Sequence, residues 1–106
     1  MRVRPDMLNG HAICHGGIIF ALADSAFAFA CNSYNENTLA ASASIEFLAP
    51  ARAGDELIAE AGERARGRRL DIYDIEVRNQ QGTRIALFRG RSAKVSGTVL
   101  PADPGE

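Results

Sequence analysis

Gly17-Ile-Ile-Phe-Ala-Leu-Ala-Asp-Ser-Ala-Phe-Ala-Phe-Ala-Cys31 is the stretch that decides the fold. Between residues 18 and 31 only Asp24 and Ser25 are polar, so a helix over residues 16–32 is apolar on every face and must be wrapped by protein on most sides. Asp24 then reads as a carboxylate placed inside a core. Leaving one unpaired away from water costs roughly several kcal/mol, so a chain that does so usually needs it. The helix opens with His15-Gly16-Gly17, which supplies no Ser, Thr, Asp or Asn side chain to cap the first N–H groups. Those donors are left for a ligand. A helix start that can polarise a carbonyl, together with a carboxylate on the same helix, is the raw material of an acyl-transfer or hydrolase site.

Outward from the helix the texture changes. Upstream, residues 2–7 read as the end of a strand and Asp6 to Cys14 as a loop; downstream, Asn32-Ser-Tyr-Asn-Glu-Asn37 is a polar break. Strands follow at Ser42 to Leu48, Glu56 to Ala65, Leu70 to Arg78 and Arg84 to Val95. In the third, Tyr73, Ile75 and Val77 share a face; in the fourth, Ile85 and Leu87 fall opposite Ala86 and Phe88. The links are short, so each strand is expected to pair with the next as an antiparallel hairpin. One long helix followed by four antiparallel strands is an α+β layer in which the sheet curls around the helix. The sheet covers only part of such a helix, which argues for a second subunit or for sequence missing upstream. Residues 1–96 form a single domain in this reading, and 97–106, with two prolines and two glycines, a frayed tail.

Composition narrows the function. The 106 residues are 46% hydrophobic and 24% charged with a net charge of −1, the profile of a globular protein without an electrostatic footprint for nucleic acid. A domain of this size buries ~65% of its unfolded surface, a modest core that gains from oligomerisation. No run reaches the ~20 apolar residues that span a bilayer, and no signal core follows Met1, so the expected compartment is the cytoplasm. Cys14 and Cys31 sit at opposite ends of a helix some ~25 Å long and are expected as reduced thiols. Basic residues cluster at Arg64, Arg66, Arg68 and Arg69 and again at Arg84, Arg89, Arg91 and Lys94; each cluster is either a solvated face or a seat for carrier phosphates.

Met7-Leu-Asn-Gly-His11, Cys14-His-Gly-Gly17, Leu22-Ala-Asp-Ser-Ala26 and Phe47-Leu-Ala-Pro50, continued by Tyr73-Asp-Ile-Glu76 and Ala86-Leu-Phe-Arg-Gly90, closely resemble the hotdog-fold thioesterases of the phenylacetic acid degradation (PaaI-type) group. The resemblance implies a long helix wrapped by an antiparallel sheet, paired into a homodimer and often a homotetramer, that hydrolyses acyl-CoA thioesters without metal or other cofactor. By position it implies Asn9, His15, Gly16 and Asp24 as the catalytic set. Gly17 and the strand-end cluster Arg89, Arg91 and Lys94 are the matching expectation for substrate contacts. Members of the group carry a leading helix and first strand before this Met-Leu-Asn-Gly, so the chain looks shortened at its N-terminus.

Gly16 and Asp24 are eight residues apart, about 12 Å along a helix, and cannot touch one carbonyl carbon from the same chain. Two antiparallel helices related by a twofold axis bring Asp24 of one chain near Gly16 of the other, giving two shared sites per dimer. The Gly16 N–H would then stabilise the oxyanion, with Asp24 either as general base toward water or as nucleophile forming an anhydride. Asn9 would hold the water or the carboxylate, and His15 would orient the loop or the thioester.

Structural readings stand beside these. Asp24 is alternatively a carboxylate satisfied by backbone or Ser25, His15 a packing residue, and Asn9 a turn residue beside Gly10. His11, Cys14 and His15 have a spacing that would suit zinc on a helix, but the flanking Gly10 and Gly16-Gly17 argue against a helix there and no fourth ligand is evident. Cys14 beside His15 lacks the third group that would orient a thiol nucleophile. Phe27, Phe29, Tyr34, Phe47 and Tyr73 form either an aromatic acyl pocket or plain core. The leading function is an acyl-CoA thioesterase for aryl-acetyl or related chains. A non-catalytic acyl-CoA-binding module and a hotdog hydratase or dehydratase are the alternatives. The first has no use for Asp24, and the second needs an acid/base His for which His15 is the one candidate.

Overall fold

The computed structural model describes residues 1–32 and 38–95; the tail expected over 97–106 and Tyr34 lie outside the described residues. The central helix α1 runs Gly16–Cys31 and ends at Asn32, whose backbone N–H and side-chain amide both donate to the Ala28 carbonyl, at 3.3 and 2.9 Å. The strands are β1 (Thr38–Phe47), β2 (Ile58–Arg66), β3 (Leu70–Arg78) and β4 (Arg84–Lys94). Before the helix, Arg2 bridges to Glu56 and the Val3 N–H donates to the Asp55 carbonyl at 2.8 Å, after which the chain leaves extended structure in a 3₁₀ turn at Pro5–Met7. The loop that follows is pinched shut by a bridge between Leu8 and Cys14.

All pairings are antiparallel, and the order across the sheet is β1-β4-β3-β2. The hairpins β2-β3 and β3-β4 are as expected, but the expected β1-β2 hairpin is not: β1 lies beside β4, with Phe47 opposite Ala86 and Thr38 opposite Lys94. Residues 48–57 are therefore a crossover rather than a turn. They pass beneath the start of α1 from one sheet edge to the other, accepting the Cys14 N–H at Ala51 (2.7 Å) and donating from Gly54 to Val3 (2.8 Å).

Alternation in β3 and β4 decides what the helix meets. Asp71, Tyr73, Ile75 and Val77 of β3 and Ala86, Phe88, Gly90 and Ser92 of β4 form the inner face. Ile19, Ala23, Phe27 and Cys31 of α1, spaced four apart, are buried against it. The closest approach is at Gly90, where an added Cβ would stand 2.7 Å from three atoms of the Phe27 ring; the strand carries glycine because the helix lies on its backbone. Phe27 also packs on Phe88 and Tyr73, with ring centroids 5.7 and 6.0 Å apart.

As expected of a sheet that covers only part of the helix, one chain leaves much of α1 exposed. Gly17, Ala21, Ser25 and Ala28 are exposed and Phe29 is 83% exposed, so the sheet covers one stripe only. Phe27 and Tyr73 are core, Phe29 is in solvent and Phe47 sits at the end of β1, so these aromatics do not make one pocket. The two sheet edges also differ. Edge strand β2 carries Glu60, Glu63, Arg64 and Arg66, whereas edge strand β1, Thr-Leu-Ala-Ala-Ser-Ala-Ser-Ile-Glu-Phe, carries Glu46 alone.

Candidate active site

Backbone geometry at the helix start leaves donors open. His15 is the N-cap residue and makes no side-chain cap; its carbonyl accepts from Ile18 (3.1 Å) and Ile19 (3.3 Å). The N–H groups of Gly16 and Gly17 have no acceptor among the described residues. They carry the positive end of a four-turn helix dipole. The side chain of His15 is exposed, while its N–H donates to the Met7 carbonyl at 2.9 Å, so the residue also ties the loop to the helix.

Asn9 lies where that loop turns. Its Oδ1 accepts the N–H of His11 at 2.8 Å and of Ile13 at 3.4 Å, so the turn-residue reading describes half of the side chain. The other half, the Nδ2 amide, has no partner among the described residues and keeps both protons to donate. The same loop holds Ala12 at a φ of 58°, a left-handed conformation that non-glycine residues rarely adopt. Asn9, Gly16, Ile13, Phe47 and Leu48 line one hollow of about 460 Å³ between the loop, the helix start and the end of β1.

Asp24 is not in that hollow. It lies two turns further along α1, at the edge of the buried stripe, and is half-buried rather than enclosed, a correction to the reading of a carboxylate inside the core. Position 24 follows the buried Ala23 by 100° of helical turn, which carries it to the boundary of what the sheet covers. Among the described residues its carboxylate has no hydrogen-bond or ion-pair partner. The structural reading, satisfaction by Ser25, is not what is seen, because Ser25 Oγ donates to the Ala21 carbonyl at 2.8 Å. Asn9 and Gly16 are thus brought together in one chain, and Asp24 is not brought to them.

The basic cluster lies elsewhere. Arg89 and Arg91 point to the outer face of β4, away from the helix, and Lys94 is at the strand end near Thr38, the opposite end of α1 from Gly16. Arg89 grips Asp74 through Nε (2.7 Å) and Nη2 (2.9 Å), and Lys94 donates to the Gly67 carbonyl at 2.7 Å. Arg91 is exposed, with no partner among the described residues. An added Cβ at Gly17 would meet nothing within 4 Å.

Cys14 and Cys31 are buried free thiols, and burial pushes the Cys14 thiol up, the opposite of an activated nucleophile. Among the described residues no three His, Cys, Asp or Glu side chains come together as a metal site, and His11 and His15 are exposed while Cys14 is buried. No helix among the described residues is long and apolar enough to cross a membrane.

The Arg89 contact, which sequence reasoning missed, has a measurable consequence. Hydrogen bonds from Arg89, seconded by Arg64 at 2.9 Å, hold the Asp74 carboxyl below its ordinary value although burial pushes the other way; Arg78 does the same for Glu76. A depressed folded-state value stabilises the fold above the unfolded value, about 4, and that stability is lost as pH falls through the folded one. The Tm is expected to fall between pH 5 and pH 3, and less steeply in Asp74→Asn. An identical slope in the variant would remove Asp74 from the account.

The sequence pattern of the thioesterase superfamily matches residues 11–86. The acyl-coenzyme A thioesterase PaaI of Escherichia coli is 50% identical over 99 residues, 93% of this chain and 71% of its own. The solved structure of E. coli PaaI, from the phenylacetic acid degradation operon, superposes with a TM-score of 0.90 at 51% identity, covering 92% of this chain and 71% of that one. A Streptococcus mutans protein solved with acetyl CoA bound is 26% identical with a TM-score of 0.87, covering 92% and 78%.

Proposed function

The chain belongs to the thioesterase superfamily, with the α+β hotdog fold of that group, and on that premise we propose that it hydrolyses acyl-CoA thioesters of the aryl-acetyl class to free acid and CoA. The observation that carries this reading is the pair of N–H groups at Gly16 and Gly17 that no described residue accepts, at the positive end of α1, beside a hollow that also holds the Asn9 amide. The name of the E. coli relative, an acyl-coenzyme A thioesterase, supports acyl-CoA thioesters as the substrates.

In this reading the Gly16 N–H donates to the thioester carbonyl oxygen and to the oxyanion that replaces it, where one such donor is worth about 3–4 kcal/mol. Asp24 of a second chain completes the site, because the ~12 Å between residues 16 and 24 along one helix is too far for both to meet one carbonyl. As a base, Asp24 takes a proton from water while the water oxygen bonds to the carbonyl carbon. The tetrahedral intermediate then expels CoA thiolate, which recovers the proton. As a nucleophile, Asp24 bonds to the carbonyl carbon itself, expels the thiolate and leaves an anhydride for water to open. Asn9 Nδ2 holds the water or the carboxylate, and His15 fixes the loop. The exposed face of α1 is where a second helix would lie antiparallel, giving a homodimer with two shared sites that pairs again into a homotetramer, in the cytoplasm. Of the carrier contacts expected at Gly17, Arg89, Arg91 and Lys94, Arg91 is the one whose guanidinium is not already engaged by a described residue.

The test is thiol release from phenylacetyl-, acetyl- and hexanoyl-CoA. Hydrolysis with the phenylacetyl ester preferred is expected. No thiol release from any of them would sink the thioesterase reading, and a preference for hexanoyl-CoA would overturn the aryl-acetyl class.

A further inference from the structure

Phe47 is the last residue of β1, on the inner side of the sheet, yet it is 52% exposed and stands outside the buried core. Its ring points at the helix start. A Cβ built on Gly16 would lie 2.9 Å from Phe47 Cζ and 3.4 Å from each Cε, so the ring tip occupies the space a side chain at Gly16 would need. The ring makes no aromatic contact among those seen in the core, where Phe20, Phe27, Tyr73 and Phe88 pack on one another. Together with Leu48, also 52% exposed, it forms an apolar wall of the hollow whose polar groups are Gly16 and Asn9.

We propose that Phe47 is a specificity-determining residue, the platform against which a flat acyl group lies once its thioester carbonyl reaches the Gly16 N–H; this rests on the thioesterase reading. A carbonyl held at Gly16 has the ring beside it, and an aryl group one methylene away falls within the 4.5–7 Å range at which aromatic rings attract one another edge-to-face or offset. An acetyl group reaches the same carbonyl position without meeting the ring. The platform therefore separates substrates by the acyl group and leaves the chemistry at the carbonyl alone.

Phe47→Leu and Phe47→Met keep an apolar residue of similar bulk and remove the flat face. Each is expected to lower kcat/KM for phenylacetyl-CoA about tenfold relative to acetyl-CoA, mainly through KM. Phe47→Tyr is expected to retain the wild-type ratio, and the Tm to stay within a few degrees because the ring is half in solvent. An unchanged ratio in a folded variant overturns the proposal. Equal loss on both substrates also overturns it, since the ring would then be supporting the Gly16 backbone. Should the wild type hydrolyse neither ester, the thioesterase reading fails instead. The platform is then judged by calorimetric binding of the non-hydrolysable ketone analogues of the two esters, where wild type must favour the aryl ketone and Phe47→Leu must not.

Discussion

Asp24→Asn is expected to lower thioester hydrolysis by at least ~100-fold while acyl-CoA still binds. Asn keeps the shape of the side chain and removes its basicity. The carboxylate is half-buried and engages no described residue, so the exchange breaks no ion pair and the fold has little to lose. A rate loss with unchanged Tm and unchanged binding would thus be chemical. Near-normal turnover would sink both roles proposed for the residue. The same variant tests whether sites are shared. Gly16→Pro removes the N–H at a first helical position that accepts proline, provided the half-exposed Phe47 ring turns aside. Hybrids of the two inactive chains would hold one intact site, Gly16 from one and Asp24 from the other. Proven hybrid formation without recovered activity would count against shared sites.

The largest stability effect is expected where α1 lies on β4. Phe27→Ala removes a ring that is 1% exposed and leaves a cavity bounded by Phe88, Tyr73 and Gly90, at a cost of about 3–5 kcal/mol. That is a large share of the total for a chain of this length. Gly90→Ala acts in the opposite sense by overfilling: its methyl would sit 2.7 Å from the ring, which has no room to retreat, costing about 1–3 kcal/mol. Because both changes act on one contact, Phe27→Leu combined with Gly90→Ala should cost less than the sum of the single variants. Urea denaturation of the four proteins reads this directly. A Gly90→Ala variant within about 0.5 kcal/mol of wild type would show that the helix is not seated on that backbone.

Much of this was legible in the sequence, and the failures have causes. Gly16-Gly17 and the polar break at Asn32 bound α1 to within a residue, and strict alternation at Tyr73, Ile75 and Val77 gave β3 its limits. The start of β1 was missed by four residues because Thr38-Leu-Ala-Ala41 has no alternation to detect. Its partner was missed because Pro50 and Gly54 look the same in a hairpin and in a crossover; only the Cys14 and Val3 contacts across the helix base distinguish them. At the helix start, glycines with no capping side chain point to N–H groups that no described residue accepts. The half-burial of Asp24 was not readable, since apolarity on all faces does not say which face the sheet takes. The Arg89–Asp74 ion pair is not readable either, because Asp74, fifteen residues earlier, becomes the neighbour of Arg89 only through the β3-β4 register.

The unequal sheet edges bear on how any of these stabilities can be measured. Proteins guard an edge strand with charges or proline, as β2 is guarded by its Glu and Arg residues, because bare edge amides template the addition of another strand. With Glu46 alone and no lysine, arginine or proline, β1 lacks that protection. When such an edge is covered by association, the free energy of unfolding acquires a mass-action term, and a melting temperature becomes a property of the solution as well as of the chain. Differences between variants of this protein are therefore differences in stability only when every sample is held at one chain concentration.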